Sequence, residues 1–344
     1  MSMIDGGCSV SKYPIDFVIT WVDPTDSNWL KDRQDYLNEN NESAGEIRYR
    51  DWELLKYWFR MVERCAPWVN RIYFVTYGHY PNWLNTENEK LVIVKHDEFI
   101  DVPYLPTFNS NVIEIFFHRI EELSEHFVYF NDDMFLCKSV SEEDFFFDGK
   151  PVDSLSWNAV SAKANNSMVE HIVLNDMELL EKHFKKKAVQ KQQFWKMINF
   201  KNGKSAIKSL MLMSWEHFTG IENPHVAQPY LKSVLKEVWD EEQDKLLETA
   251  CNRLRTSNDY SLWIARYWNL MKNNYHLKSR KDELYYIIGD DNKWLADQLK
   301  AKKYKLICLN DSDDLSDFDK AKADLISIFE SLYPDVSSFE RRVE

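Results

Sequence analysis

Over its first 150 residues the chain alternates between two hydrophobic rhythms. "IDFVITWV" (Ile15 to Val22) is almost continuously apolar, as a strand buried on both faces would be. "DWELLKYWFRMVERCAPW" instead places Trp52, Leu55, Phe59, Val62 and Ala66 at spacings of three and four. That pattern predicts a helix with one apolar face, ended by Pro67. "RIYFVTYG" and "KLVIVKH" predict two further strands. "NSNVIEIFFHRIEELS" predicts a helix with Ile113, Phe117 and Ile120 on one face and a start at Asn111-x-x-Glu114 that resembles a capping box. "FVYF", from Phe127, is a fourth strand, and Asn131, Asp132 and Asp133 follow it at once. The order strand, helix, strand, strand, helix, strand predicts an α/β fold with a mainly parallel sheet.

Ligands of such sheets sit beyond the carboxyl ends of the strands. Asp23 follows the first strand, and Asp132 and Asp133 follow the strand at Phe127, so all three are expected on that edge. The plainer alternative is a polar turn that caps the next element.

The later chain reads as largely helical. "PYLKSVLKEVWDEEQDKLLETACNRL" and "NDYSLWIARYWNLM" predict helices, "YKLICLNDSDD" a strand ending in Asn310 and Asp311, and "DKAKADLISIFESLY" a last helix. Between these halves, Lys182 to Lys204 holds eight lysines and no acid, with Phe184, Phe194, Trp195 and Phe200 interleaved. It reads either as a solvated helix face or as a patch for anionic lipid or a polyanionic acceptor.

Composition narrows the function classes. With 344 residues, 44% of them apolar, the chain can bury a large core. Its charge of −13 argues against wholesale nucleic-acid binding. Glycine occurs only 8 times, which disfavours glycine-rich phosphate loops. Cys8, Cys65, Cys137, Cys251 and Cys308 are scattered and read as free thiols in a reducing compartment. The N-terminal stretch lacks a signal-like apolar run, and no window has the roughly 20 apolar residues of a spanning helix. The expected location is cytoplasmic, with peripheral contact at the inner face of the plasma membrane left open.

Local motifs exclude more. "NGKS" (Asn202 to Ser205) has Ile198 where a P-loop needs glycine. No H-E-x-x-H, cysteine pair or G-x-S-x-G is present. What remains is a carboxylate-rich sheet edge suited to a hard divalent cation, Mg²⁺ or Mn²⁺, whose other ligands come from substrate phosphates and water. That points to a nucleotide-linked substrate.

Several long stretches resemble one known family. "IDFVITWVDPTD", "RYRDWELLKYWFRMVERCAPWVNRIYFVTYGHYPNWLN" and "LPTFNSNVIEIFFHRIEELSEHFVYFNDDMF" look like the first two blocks of the Stealth family. "HVAQPYLKSVLKE", "RLRTSNDYSLW" and "KLICLNDSDD" resemble its later blocks, so the likeness runs in order from Ile15 to Glu340. Stealth proteins include bacterial capsule polymerases and the animal enzyme that builds the lysosomal mannose-6-phosphate tag. The stretch from Ser161 to Gly220 matches weakly, and acceptor specificity is expected there.

The resemblance implies a Rossmann-like (GT-A-like) catalytic domain from 1–160 and 205–344, with a lysine-rich helical insertion at 161–204 and a helical C-terminal part. It implies transfer of hexose-1-phosphate from a nucleotide-diphosphosugar, of the UDP-sugar kind, to a hydroxyl of an oligosaccharide or polysaccharide. Asp133, with Asp132 beside it and Asp311 in the last block, would hold the metal. His225 in "NPHVAQPY" matches the family's histidine, a base suited to neutral pH. Arg255 in "RLRTSND" matches its arginine, a planar donor fork for phosphoryl charge. Asp23, Asn109, His118, Asn131, Asn258 and Asp259 are the expected substrate contacts. Asn258 and Asp259 are placed at a helix start, with Asp259 supporting ligand geometry or pairing with Arg255. Asp311, Asp313 and Asp314 have an acidic turn as their alternative. One departure is "WVDPTD", where Pro24 stands in place of the family's usual glycine and removes an N–H. The rivals are a metal-dependent GT-A-type glycosyltransferase releasing the nucleoside diphosphate, and a glycan-binding protein. Other capsule-synthesis proteins are possible partners.

Overall fold

The computed structural model describes residues 13–40, 49–164, 167–312 and 314–341. Cys8, Asp313 and the first twelve residues of the N-terminal stretch lie outside the described residues.

The buried apolar runs become the central sheet. β1 (Ile15–Trp21), β2 (Ile72–Thr76), β3 (Leu91–Lys95) and β4 (His126–Phe130) are parallel, in the order β3-β2-β1-β4. β2 is buried along its whole length, as expected for strands covered on both faces. β5 (Met134–Leu136) leaves this sheet. β6 (Phe146–Phe147) and β7 (Lys150–Asp153) form a small hairpin, and β8 (Gln228–Leu231) closes the main sheet antiparallel to β4. β9 (His276–Leu277) extends the small hairpin beside β7. β10 (Glu283–Ile287), β11 (Leu306–Asn310) and β5 form a second sheet, with β11 at its centre.

Helices cover the sheets: α1 (Ser27–Asn40), α2 (Leu55–Cys65), α3 (Ser110–Ile115), α4 (Met168–His183), α5 (Lys186–Met197), α6 (Lys204–Leu212), α7 (Lys232–Ala250), α8 (Trp263–Met271), α9 (Lys293–Lys300) and α10 (Phe318–Leu332). Leu55, Phe59, Val62 and Ala66 bury the predicted face of α2, whereas Trp52 precedes the helix and packs on Phe318, with ring centroids 4.8 Å apart. No described helix is long and apolar enough to cross a membrane. The four cysteines Cys65, Cys137, Cys251 and Cys308 are free.

The structure corrects several sequence expectations. α3 is capped by Asn109, whose side chain accepts from the Asn111 amide at 3.1 Å; Asn111 is not the cap. The helix ends at Ile115 and tightens into a 3₁₀ turn at Phe117–Arg119. Pro229, Tyr230 and Leu231 belong to strand β8, because their backbone completes the exposed side of β4 before α7 begins. Asn258 and Asp259 precede α8 by a turn and do not start it. The expected strand ending at Asn310 is present as β11.

α4 is tied to the chain before α8 by a buried carboxyl. Asp176 accepts from the Ser261 amide at 3.2 Å and from its hydroxyl at 2.7 Å. Burial pushes the Asp176 carboxyl up to about 8, against the opposing pull of the Ser261 bonds. The folded protein therefore holds this proton where the unfolded chain has released it, so the associated stability is complete below about pH 4 and is lost as pH rises through about 8. Asp176→Asn carries no charge at any pH. Its melting temperature should gain on the wild type steadily between pH 4 and pH 9, and a gap that does not change with pH would show that Asp176 ionises normally.

Candidate active site

The strand order reverses between β1 and β4, and the crevice of an open α/β sheet lies beyond the carboxyl ends at such a reversal. Asp23 follows β1 there. Asn131, Asp132 and Asp133 follow β4, where the Met134 amide donates to the Asn131 carbonyl at 3.1 Å and turns the chain out of the sheet. β5 then pairs with β11, and the Leu309 amide donates to the Asp133 carbonyl at 2.8 Å. The two aspartates thus occupy the bend where one sheet hands the chain to another, and the end of β11 with Asn310 and Asp311 reaches the same edge.

Asp133 is the best-connected of the carboxylates. Its Oδ2 accepts from the Cys308 thiol at 3.2 Å and lies 4.0 Å from His225 Nε2. One ligand atom from each of Asp133, His225 and Cys308 falls within 4.8 Å of the others. Asp133 Oδ1 is buried and has no hydrogen-bond partner among the described residues. Burial raises the Asp133 carboxyl, and His225 and the Cys308 thiol oppose the rise. Burial also holds the Cys308 thiol far above its usual range, so it serves as a neutral donor to the carboxylate.

Asp132 is pushed up to about 7, first by the protein packed around it and then by the Asp133 and Asp51 carboxylates. Its side chain still meets solvent, so water screens part of that effect. Asp51 is raised in turn by burial and by Glu53 and Asp23. Acidic charges thus crowd one crevice, and a buried carboxylate oxygen there lacks a partner. This donor set fits a divalent cation held by oxygen.

His225 is positioned from behind. Asp153 and Arg266 are both buried and joined by two bonds of 2.7 and 2.9 Å. Against the cost of burial, Arg266 and Arg280 hold the Asp153 carboxyl below its usual range. Arg266 Nη1 also donates to the Glu222 carbonyl at 3.2 Å and to Asn223 Oδ1 at 3.4 Å, fixing the loop that carries His225. Trp263 and Tyr285 flank the imidazole edge-on, with ring centroids 6.3 and 5.7 Å away.

Arg255 is reached through a polar relay. It donates to the Ser110 hydroxyl at the start of α3. Glu114, on the same helix, accepts from Tyr129 Oη at 3.0 Å, and that hydroxyl also lies 2.5 Å from Asn131 Oδ1 and 3.0 Å from Thr20 Oγ1. Burial pushes Glu114 up to about 7, with Arg255 opposing. Arg255 does not pair with Asp259 among the described contacts. Asp259 is wholly buried and accepts from Asn109 at 2.7 Å, Asn111 at 3.0 Å, Asn252 at 2.8 Å and Thr256 Oγ1 at 2.9 Å. Asn109 and Asp259 therefore shape the loop under Arg255 and present no side-chain surface to a ligand.

The remaining expected residues differ in placement. The Asp23 amide donates to His79 Nε2 at 2.7 Å, while its Oδ1 accepts from the Thr25 amide and hydroxyl at 2.8 and 2.6 Å. Asp311 faces Arg50 at 3.6 Å. Asn258 is exposed. His118 packs on Trp239 of α7, 5.2 Å between ring centroids, with Nδ1 at 3.2 Å from the Ile115 carbonyl, so it faces α7 and not the carboxylates. Burial drives its imidazole down to about 4. Sequence reasoning missed Arg50, Asp51, Glu114, Trp263 and Tyr285 as neighbours of the site. Arg50 and Asp51 follow no strand, and Glu114 reads as a cap; only the three-dimensional contacts single them out.

An α/β sheet whose reversal point gathers carboxylates and a histidine describes a group-transfer enzyme more readily than a binding module. Comparison with known proteins makes the assignment definite. Family models described as Stealth protein conserved regions 1, 2 and 4 match residues 13–41, 48–153 and 297–344. A capsular polysaccharide phosphotransferase of Streptococcus pneumoniae is 41% identical, over 95% of this chain and 98% of its own length. An exopolysaccharide phosphotransferase of Lactiplantibacillus plantarum is 37% identical over 96% and 97%, and a receptor polysaccharide phosphotransferase of Streptococcus gordonii 36% identical over 95% and 98%. The apo structure of a bifunctional glycosyltransferase overlaps 93% of this chain and 50% of its own at 11% identity, with a TM-score of 0.36. The chain belongs to the Stealth family and is an enzyme of the transferase class. His225, Arg255, Asn258 and Asp259 lie between the second and third matched regions, so their roles rest on geometry.

The buried pair behind the His225 loop is open to test. Asp153→Ala leaves the Arg266 guanidinium buried without its partner, which should cost about 3–5 kcal/mol in urea unfolding. The double change Asp153→Leu with Arg266→Met should be milder, its remaining cost set by Arg280, which also loses Asp153 but keeps Glu283. Equal losses for the two would show that the pair contributes only packing.

Proposed function

We propose that this enzyme moves a sugar-1-phosphate from a nucleotide-diphosphosugar, of the UDP-sugar kind, to a sugar hydroxyl in capsular or cell-surface polysaccharide synthesis. The observation that carries the reading is His225 Nε2 standing 4.0 Å from Asp133 Oδ2 at the sheet's reversal point. Names of relatives support it, since each is called a polysaccharide phosphotransferase.

In this reading the acceptor hydroxyl attacks the β-phosphorus. The bond from that phosphorus to the bridging oxygen breaks, and the nucleoside monophosphate leaves with that oxygen. His225 takes the hydroxyl proton at Nε2, with Trp263 and Tyr285 beside it as aromatic surfaces for an acceptor sugar ring. Arg255, oriented by Ser110, meets the charge on the transferring phosphoryl group. Asp23 and Asn131, at the ends of β1 and β4, would make donor contacts. Asp133 and Asp132 would hold Mg²⁺ or Mn²⁺, with Asp311 at the same edge; the bound ion would neutralise the diphosphate.

Three results are expected. Chelator should abolish turnover, and Mg²⁺ or Mn²⁺ should restore it. His225→Ala should lower kcat by about 10²–10⁴-fold while donor affinity, read by titration, stays unchanged. Acceptor-dependent turnover should release the nucleoside monophosphate. Stoichiometric nucleoside diphosphate in the chromatogram would instead make this a metal-dependent glycosyltransferase.

A further inference from the structure

An amphipathic helix in a globular protein normally buries its apolar stripe. α6 does the reverse. Ala206 and Ser209 face inward, with the Ser209 hydroxyl accepting from the Trp157 amide at 2.9 Å. Ile207, Leu210 and Met211, spaced i, i+3, i+4, face outward, and Met211 is 69% exposed. α5 lies alongside. Lys186 Nζ donates to the carbonyls of Leu212 and His217 at 3.0 and 2.8 Å, and Lys187 Nζ to that of Met213 at 2.7 Å. The start of α5 is thereby tied to the end of α6, which makes the two an antiparallel hairpin. The outward side of α5 carries Lys191 and Trp195, the latter 78% exposed, and the connecting turn carries Phe200 at 87%.

The lysine run resolves into two sets. Lys186 and Lys196 are used inside the protein, Lys196 on Asn273 at 2.7 Å, and Lys182 pairs with Glu242 at 3.0 Å. Lys185, Lys191, Lys204 and Lys208 are exposed, and none pairs with a carboxylate among the described residues. From Lys182 to Trp215 there are nine lysines and no acid, in a chain of net charge −13.

We infer that the α5–α6 hairpin docks on an anionic lipid bilayer. Exposed Trp and Phe suit the headgroup boundary, aliphatic side chains enter just below it, and lysines near an anionic surface contribute about 1 kcal/mol each. A polyanionic saccharide would satisfy the lysines and leave Ile207, Leu210 and Met211 in water. A second copy meeting this face across a two-fold axis would bring Lys191, Lys204 and Lys208 against themselves. The hairpin is also coupled to the site: Trp157 bonds Ser209 and bridges to Ile221, four residues before His225. This inference does not depend on the reaction proposed above.

The test is flotation of the full chain with vesicles of phosphatidylcholine alone or with about 30% phosphatidylglycerol. Binding should require the anionic lipid and weaken with salt. Lys191→Glu with Lys208→Glu, and separately Trp195→Ser with Met211→Ser, should each lower partitioning at least about tenfold. All four positions are exposed, so melting temperature and nucleotide release should stay at wild-type values. Absence of flotation, or flotation indifferent to both variants, overturns the inference. A dimer in light scattering that the same variants dissociate reassigns the face to self-association. Binding of an anionic polysaccharide that survives the serine variants, with no vesicle binding, reassigns it to the acceptor.

Discussion

The repulsion among carboxylates at the reversal point is the constraint around which the rest of the molecule is arranged. Asp132 and Asp133 sit in a bend whose ends are committed to two different sheets, so the chain cannot relax them apart. Asp51 and Asp23 add charge to the same crevice. Among the described residues, a neutral thiol and a nearby imidazole offset this within reach of Asp133. Carboxylates crowded in this way gain from a bound cation, the usual signature of a site selected for binding and not for stability.

Two buried polar networks hold the segments that carry His225 and Arg255. One runs from Asp153 through Arg266 to the loop of His225; the other from Asp259 through Asn109 to the start of α3, where Ser110 meets Arg255. Each closes on itself by hydrogen bonds, as buried polar groups must. The first brings His225 to 4.0 Å from Asp133, and the second brings Arg255 to the Glu114 side of α3, each from a segment remote in sequence. The Glu114–Tyr129–Asn131 relay joins the second network to the sheet edge.

The first half of the fold was legible because parallel strands buried on both faces leave unbroken apolar runs, and α2 an unmistakable stripe. β8 was not, since its four residues run without a break into α7. β10 was hidden for another reason: an edge strand with Tyr285 and Ile287 exposed has no core pattern to read. Asp133 could be read from its strand end. His225 was read only through the family motif, and Cys308 not at all as a neighbour of Asp133, because tertiary folding and the exchange of the chain between sheets bring them together. Asp259 was read as a ligand support beside Arg255, and its burial among amides shows how a conspicuous carboxylate can be architectural. Side chains of one type divide by partner, as the lysines of α5 do.

The central claim is that bond breaking occurs at phosphorus. A donor carrying ¹⁸O in the oxygen that joins the sugar's anomeric carbon to the β-phosphate reports this directly by mass spectrometry. Attack at phosphorus keeps that oxygen with the sugar, so the label appears in the phosphodiester product and the released nucleoside monophosphate carries none. Label found in a released nucleoside diphosphate, with an unlabelled glycoside as product, would place the attack at the anomeric carbon and contradict the account.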